Sequence, residues 1–447
     1  MLEDKTFAHL GVSQPLVDAL AKGGAHRPFP IQIETLPDTL AGRDVLGRGK
    51  TGSGKTLAFS IPLVSRLDAG NRRPGRPTGL VLAPTRELAT QIAATIEPLA
   101  AVRRLRVVTI FGGVPQHRQA AALKSGVDIV VACPGRLEDL MKQRIIDLSA
   151  VQVTVIDEAD HLADLGFLPT VTRILAATPA TGQRLLFSAT LDAAVDTLVK
   201  RFLTSPVTHS VADPASLTPA MTHHLFCVDG PQAKKDLVHR LAAGDSRRIL
   251  FMRTKHQARK LARQLTQSGI ASVELHGNLS QAVRDRNLAA FAAGHARVLV
   301  ATDIAARGVH VDNVDLVVHV DPPAEHKAYL HRSGRTARAG ASGDVVTIAL
   351  PEQRRDTESM MRKAAIRAVP QQVTAASPVI HALAGEAAPR KVVAPASAPS
   401  RRPGPTAVAG HGPSAARSRR RRSRHRVAVG GLLDGGDPPR PTAATRF

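Results

Sequence analysis

The chain has 447 residues, of which 43% are hydrophobic and two are cysteine, and it carries a formal net charge of +23 at pH 7. The length predicts two or three domains. Two cysteines exclude a disulfide scaffold and a four-cysteine zinc site, and no apolar run approaches the ~20 residues that span a bilayer.

The opening, MLEDKTFAHLG, lacks a basic stretch followed by an apolar one, so a cytoplasmic protein without a secretory signal is expected. The excess of Lys and Arg favours a polyanionic partner. With no Trp, one Tyr and 11 Phe, few rings can stack on bases. Contacts to nucleic acid are therefore expected mainly on sugar and phosphate.

From about residue 40 onward, short runs of Val, Ile and Leu alternate with helical patterns. The first set lies at 44–46, 80–83, 107–111, 129–132, 153–156 and 185–187. A second set follows at 225–228, 249–252, 273–275, 298–301, 316–320 and 345–349. Runs without polar alternation suit strands buried on both faces. Strands alternating with helices predict an α/β fold of doubly wound parallel sheets, and two sets predict two lobes.

Residues 204–219 carry Ser, Thr, Asp and three prolines. The boundaries read as a first lobe at 1–205, a linker at 206–219 and a second lobe at 220–368. A charged helix is expected near 352–366. Residues 369–447 turn to Ala, Pro, Ser, Gly and Arg, and are expected to form a disordered basic tail. Seven arginines fall within 417–426, a run that reads first as a solvated tail and by extension as an RNA-phosphate contact.

The segment Gly49-Lys50-Thr51-Gly52-Ser53-Gly54-Lys55-Thr56 fits G-x4-G-K-T between a strand and a helix. Its glycines let backbone N–H groups curl round phosphates, and the helix N-terminus adds partial positive charge. Lys55 can reach the β- and γ-phosphates of ATP, and the Thr56 hydroxyl suits Mg2+. Asp157-Glu158-Ala159-Asp160 ends the run 153–156, at a strand end where α/β sheets bind ligands. Asp157 suits Mg2+, and Glu158 is placed to activate water.

These motifs resemble those of DEAD-box ATP-dependent RNA helicases of superfamily two, bacterial type, over roughly residues 7–350. The resemblance implies two RecA-like lobes with ATP and Mg2+ in the cleft. Phe29-Pro30-Ile31-Gln32 resembles the adenine-recognising Q motif, with Phe7 as its distant aromatic. Nucleotide contacts are implied for Phe7, Gln32, Gly52, Ser53, Gly54, Lys55, Thr56, Asp303 and His310. Contacts to RNA or its supporting network are implied for Thr85, Arg86, Gly113, Arg136, Arg253, Arg284 and Thr302. Ser188-Ala189-Thr190 resembles the motif coupling hydrolysis to strand separation, with Asp160 and His331 beside it. His331 to Arg338 resembles the arginine-finger motif, so Arg335 and Arg338 are implied to meet the phosphates with Lys55, Asp157 and Glu158.

The implied activity is unwinding of short RNA duplexes or remodelling of RNA–protein complexes. Proteins of ribosome assembly or RNA decay are candidate partners. Four positions depart from the family pattern: Cys133 stands for Thr, Ser333 for a β-branched apolar residue, Ala337 for Gly and His310 for an acid. Two rival readings stay open. One is an ATPase acting on DNA duplexes. The other is an RNA-annealing chaperone with weak or lost ATPase, binding through the basic tail.

Overall fold

Every interior apolar run becomes a strand in the computed structural model, which describes residues 5–49, 52–211, 221–306, 314–337 and 342–388. In the first lobe these are β1 (Val45–Arg48), β2 (Gly79–Leu82), β3 (Val107–Ile110), β4 (Ile129–Ala132), β5 (Val153–Ile156), β6 (Gln183–Ser188) and β7 (Val207–Ser210). They form one sheet in the order β3-β4-β2-β5-β6-β1-β7, and every pairing is parallel.

The second lobe holds β8 (Met221–Cys227), β9 (Arg248–Phe251), β10 (Ser272–Leu275), β11 (Val298–Ala301), β12 (Leu316–His319), β13 (Gly343–Ala349) and β14 (Pro370–Gln372). Their order is β10-β11-β9-β12-β13-β8-β14, again parallel throughout. The two lobes belong to one body.

The strands lack polar alternation because helices cover both faces of each sheet. In β4, Ile129 and Val131 enter one core and Val130 and Ala132 the other. Burying each such Val or Ile side chain contributes about 1.5–3 kcal/mol, so a charge on either face would disrupt the lobe. Parallel strands bring their C-terminal ends to one edge, and that edge carries the motifs of each lobe. Among the described residues, no helix is long and apolar enough to cross a membrane.

Two expected boundaries are corrected. The stretch assigned to the linker begins with β7, which pairs with β1 from Val45↔Val207 to Arg48↔Ser210. Its burial alternates, as an edge strand requires. Residues 212–219 lie outside the described residues.

The tail assigned to 369–447 also begins with structure. β14 pairs with β8, and the helix Pro378–Ala384 buries Ile380 and Ala384 completely. Arg248, fully buried, donates to the carbonyls of Leu241 and Ala384 and to Ser246 Oγ. A buried guanidinium needs such acceptors, and here they bind the terminal helix to the second lobe. The helix expected near 352–366 is Arg354–Lys363. The arginine run at 417–426 lies outside the described residues.

Candidate functional site: a nucleotide cleft between two lobes

The phosphate loop leaves β1 and ends in the helix Lys55–Arg66. Gly52 and Gly54 hold φ of +88° and +89°, a left-handed conformation that glycine adopts without a Cβ penalty. A Cβ on Gly54 would lie 2.6 Å from Gln32 Nε2. Lys55 is buried and donates from Nζ to the Gly49 carbonyl. Ser53 Oγ is buried and has no hydrogen-bond partner among the described residues. The Gly49 N–H donates to the Ser188 carbonyl at 3.1 Å, tying the loop to the end of β6. Lys50 and Thr51 lie outside the described residues.

Gln32 is fully buried. Its Oε1 accepts from the Phe29 N–H and its Nε2 donates to the Gly54 carbonyl, both at 2.8 Å. The amide therefore clamps the start of the helix Pro30–Leu40 to the phosphate loop. Phe7 is 1% exposed and packs in the core with Leu10 and Leu16. Phe29, 53% exposed and beside Gly54, is the open ring of this corner.

After β5 the backbone turns sharply. Glu158 caps the helix Ala159–Asp164 with φ 48° and ψ 54°, a left-handed conformation that is strained for a residue with a Cβ. The Asp157 carboxylate accepts from the Glu158 N–H at 2.9 Å. Burial raises the Asp157 pKa, and the Glu158 charge adds to the rise. Burial also pushes Glu158 upward. The hydrogen bond and charge of His161, with the charges of Arg335 and Lys55, outweigh it and hold the carboxylate low.

Asp160 links this turn to β6. Its Oδ2 accepts from both the N–H and the hydroxyl of Thr190, each at 2.9 Å. Ser188 Oγ accepts from the Asp160 N–H at 3.3 Å and donates to the Thr190 carbonyl at 2.7 Å. The expected coupling residues of the first lobe thus form one hydrogen-bonded unit.

From the second lobe, Arg335 is buried, donates to the His331 carbonyl at 3.1 Å and acts on the Glu158 charge. His331 Nε2 lies 4.0 Å from Asp164 Oδ2. Arg338 and His310 lie outside the described residues. The Asp303 carboxylate is gripped by both arms of Arg332, at 2.8 Å for Nη2, so Arg332 occupies the group expected to meet nucleotide.

The residues expected to meet RNA divide in two. Arg253 is exposed at the end of β9, with its N–H on Asp321 Oδ2 at 3.0 Å. Arg136 reaches the Val114 carbonyl at 3.4 Å. Gly113 holds φ +80°, and a Cβ there would strike the Arg86 guanidinium. Thr302 is partly exposed after β11.

Two of these residues are buried. Thr85 is buried and caps the helix Arg86–Val102, its Oγ1 accepting from the Leu88 N–H. Arg284 is also buried. Its Nε donates to Glu87 Oε1 at 2.6 Å, and its other arms reach the carbonyls of His276 and Ala305. Its donors face protein and join the two lobes, a place that suits the supporting network implied for it. Gln281 joins it, donating to Glu87 and accepting from Arg86. Lys327 and Asp192 add a further interlobe pair at 2.6 Å. Glu87 lies inside the motif at 84–89, though nothing there marked the interlobe pairing; Asp192 and His161 carried no signal in sequence beyond an acid or imidazole near a motif.

Two family models match the chain: DEAD/DEAH box helicase over residues 29–198, and Helicase conserved C-terminal domain over residues 232–340. Curated relatives include DEAD-box ATP-dependent RNA helicase 9, mitochondrial, of Arabidopsis thaliana. It is 38% identical over 374 residues, covering 81% of this chain and 60% of that protein. ATP-dependent RNA helicase DeaD of Escherichia coli (strain K12) is 40% identical over 334 residues, covering 74% and 53%. The chain thus spans a little over half the length of these relatives. Among solved structures, S. cerevisiae Dbp5 bound to RNA and ADP BeF3 superposes with a TM-score of 0.71 at 27% identity, covering 82% of this chain and 96% of that one.

Proposed function

The chain belongs to the DEAD-box helicase family, and from that premise we propose that it is an ATP-dependent RNA helicase, an RNA-stimulated ATPase that opens short duplexes or remodels RNA–protein complexes. The observation that carries the reading is the junction at Glu158. The carboxylate of the first lobe lies in the field of Arg335 from the second, while the neighbouring Asp160 is bonded to Thr190. One turn of chain thus carries a group able to position water, under the charge of a cation from the opposite lobe, and the link to the coupling motif.

In this reading ATP phosphates sit on the loop 49–54, where Ser53 Oγ and Lys55 Nζ supply donors. Asp157 and Thr56 would hold Mg2+. The raised pKa of the buried Asp157 is relieved by a divalent cation, which supports the fit. The ion supplies charge neutralisation at the phosphates. Glu158 orients the attacking water, and Arg335 balances charge developing on the γ-phosphate. RNA backbone runs over Arg253, Arg136, Gly113 and Thr302, with Arg86 beside it. The proposed setting is the cytoplasm, where ATP and RNA are both present. Ribosome assembly and RNA decay are the processes proposed for the remodelling.

ATPase assays with RNA, with DNA and without nucleic acid test the proposal. RNA should stimulate turnover well above DNA. Lys55→Ala should weaken nucleotide binding, whereas Glu158→Gln should bind ATP and RNA yet lose turnover. Turnover retained by Glu158→Gln, or equal stimulation by DNA, contradicts the assignment. ATP-independent annealing with no RNA-stimulated turnover would support the chaperone reading instead.

A further inference from the structure

His161 has no place in the assignment above. It lies three residues after Glu158, in the first turn of the helix Ala159–Asp164, and is 2% exposed. Its Nδ1 stands 3.0 Å from Glu158 Oε2. An ionised carboxylate only accepts, so Nδ1 carries a proton and donates it. Nε2 has no hydrogen-bond partner among the described residues. The ring faces His331 of the other lobe, with centroids 6.2 Å apart and planes inclined by 30°.

The ring's one hydrogen bond among the described residues is the one to Glu158. Glu158 needs such a restraint. Its backbone is left-handed, and its side chain has three rotatable bonds with which to leave a productive geometry.

We propose that His161 is the positioning residue of the hydrolytic carboxylate: its Nδ1–H holds Glu158 Oε2, so that Oε1 is aimed at the attacking water. The inference rests on Glu158 as the group that activates water. His161 itself touches neither nucleotide nor water. Its action is orientation, and misplacement of a reacting group by about 1 Å costs on the order of 100-fold in rate.

The test uses the full chain and RNA-stimulated ATPase, with His161→Leu and His161→Asn. Leu removes the donor and keeps an apolar body. Asn places an amide N–H near the position of Nδ1–H. For His161→Leu, kcat should fall ~10–100-fold, with the KM for ATP and RNA affinity in ADP–BeF3 unchanged. His161→Asn should recover most of kcat. In a Glu158→Gln background, where the carboxylate is already gone, His161→Leu should have no further effect.

Unchanged kcat in His161→Leu overturns the proposal. So does an equal fall in both variants, or full additivity with Glu158→Gln. If His161→Leu fails to bind RNA, the Asn variant decides, since a structural role would leave it as impaired as Leu. Turnover retained by Glu158→Gln alone would instead overturn the assignment of Glu158.

Discussion

Removing the Glu87 carboxylate should uncouple the lobes while leaving each intact. Glu87 and Arg284 are 6% and 8% exposed, and their charged atoms meet at 2.6 Å. In Glu87→Ala the guanidinium keeps two carbonyl contacts, to His276 and Ala305, each at 3.3 Å, and loses its hydrogen-bonded counter-charge. Leaving one member of a buried ion pair costs about 3–5 kcal/mol. That cost falls on the joined state alone, because with the lobes apart Arg284 reaches water. At 1.4 kcal/mol per tenfold, closure should weaken by roughly 100- to 3,000-fold. Fluorescent labels on the two lobes, titrated with RNA in saturating ADP–BeF3, should show the closing midpoint move to higher RNA concentration. The double variant Glu87→Ala/Arg284→Met removes the stranded charge and should recover part of the loss. Closure of Glu87→Ala at the normal RNA concentration, or a double variant no better than the single one, refutes the strut.

Gln32→Ala removes two hydrogen bonds that bind the phosphate loop to the helix Pro30–Leu40, worth about 1–3 kcal/mol together. Nucleotide affinity, read by fluorescent analogue titration, should fall about 5- to 100-fold; an unchanged Kd would mean that the loop holds its shape unaided. His319 predicts an acid limit to stability. It is fully buried beneath Tyr329, with Nδ1 on Thr347 Oγ1. Burial first, then the charges of Arg332 and His223, keeps its pKa well below 6.5. The unfolded imidazole gains a proton near pH 6.5 and the folded one does not. This contribution is therefore complete above pH 6.5 and is lost as pH falls below it. Thermal unfolding between pH 7.5 and 5 should show a smaller loss of Tm for His319→Phe than for the natural chain, and equal slopes would contradict the assignment.

Composition and local motif mark the interior of both sheets and the phosphate loop. An interior strand such as β4 is apolar on both faces, so its composition alone marks it. The loop from Gly49 to Thr56 is one contiguous stretch whose glycines are needed for a local turn. Of the four edge strands, β3 and β10 were legible as apolar runs, whereas β7 and β14 were not. β7, reading Val-Thr-His-Ser, half-buries alternate residues only, and β14 is Pro-Gln-Gln. Such short polar stretches become strands because a neighbouring strand offers unpaired backbone groups, and composition carries no trace of that.

The protein partners of Phe7, Gln32 and Thr85 were likewise visible only in the fold, since a ring, an amide or a hydroxyl in sequence serves a core, a clamp or a cap as readily as a ligand. The interlobe pair joins residues 197 positions apart. Nothing local in Glu87 or Arg284 distinguishes a strut from a solvated charge. Only packing that removes both from water makes each necessary to the other, and it is the tertiary structure that removes the water.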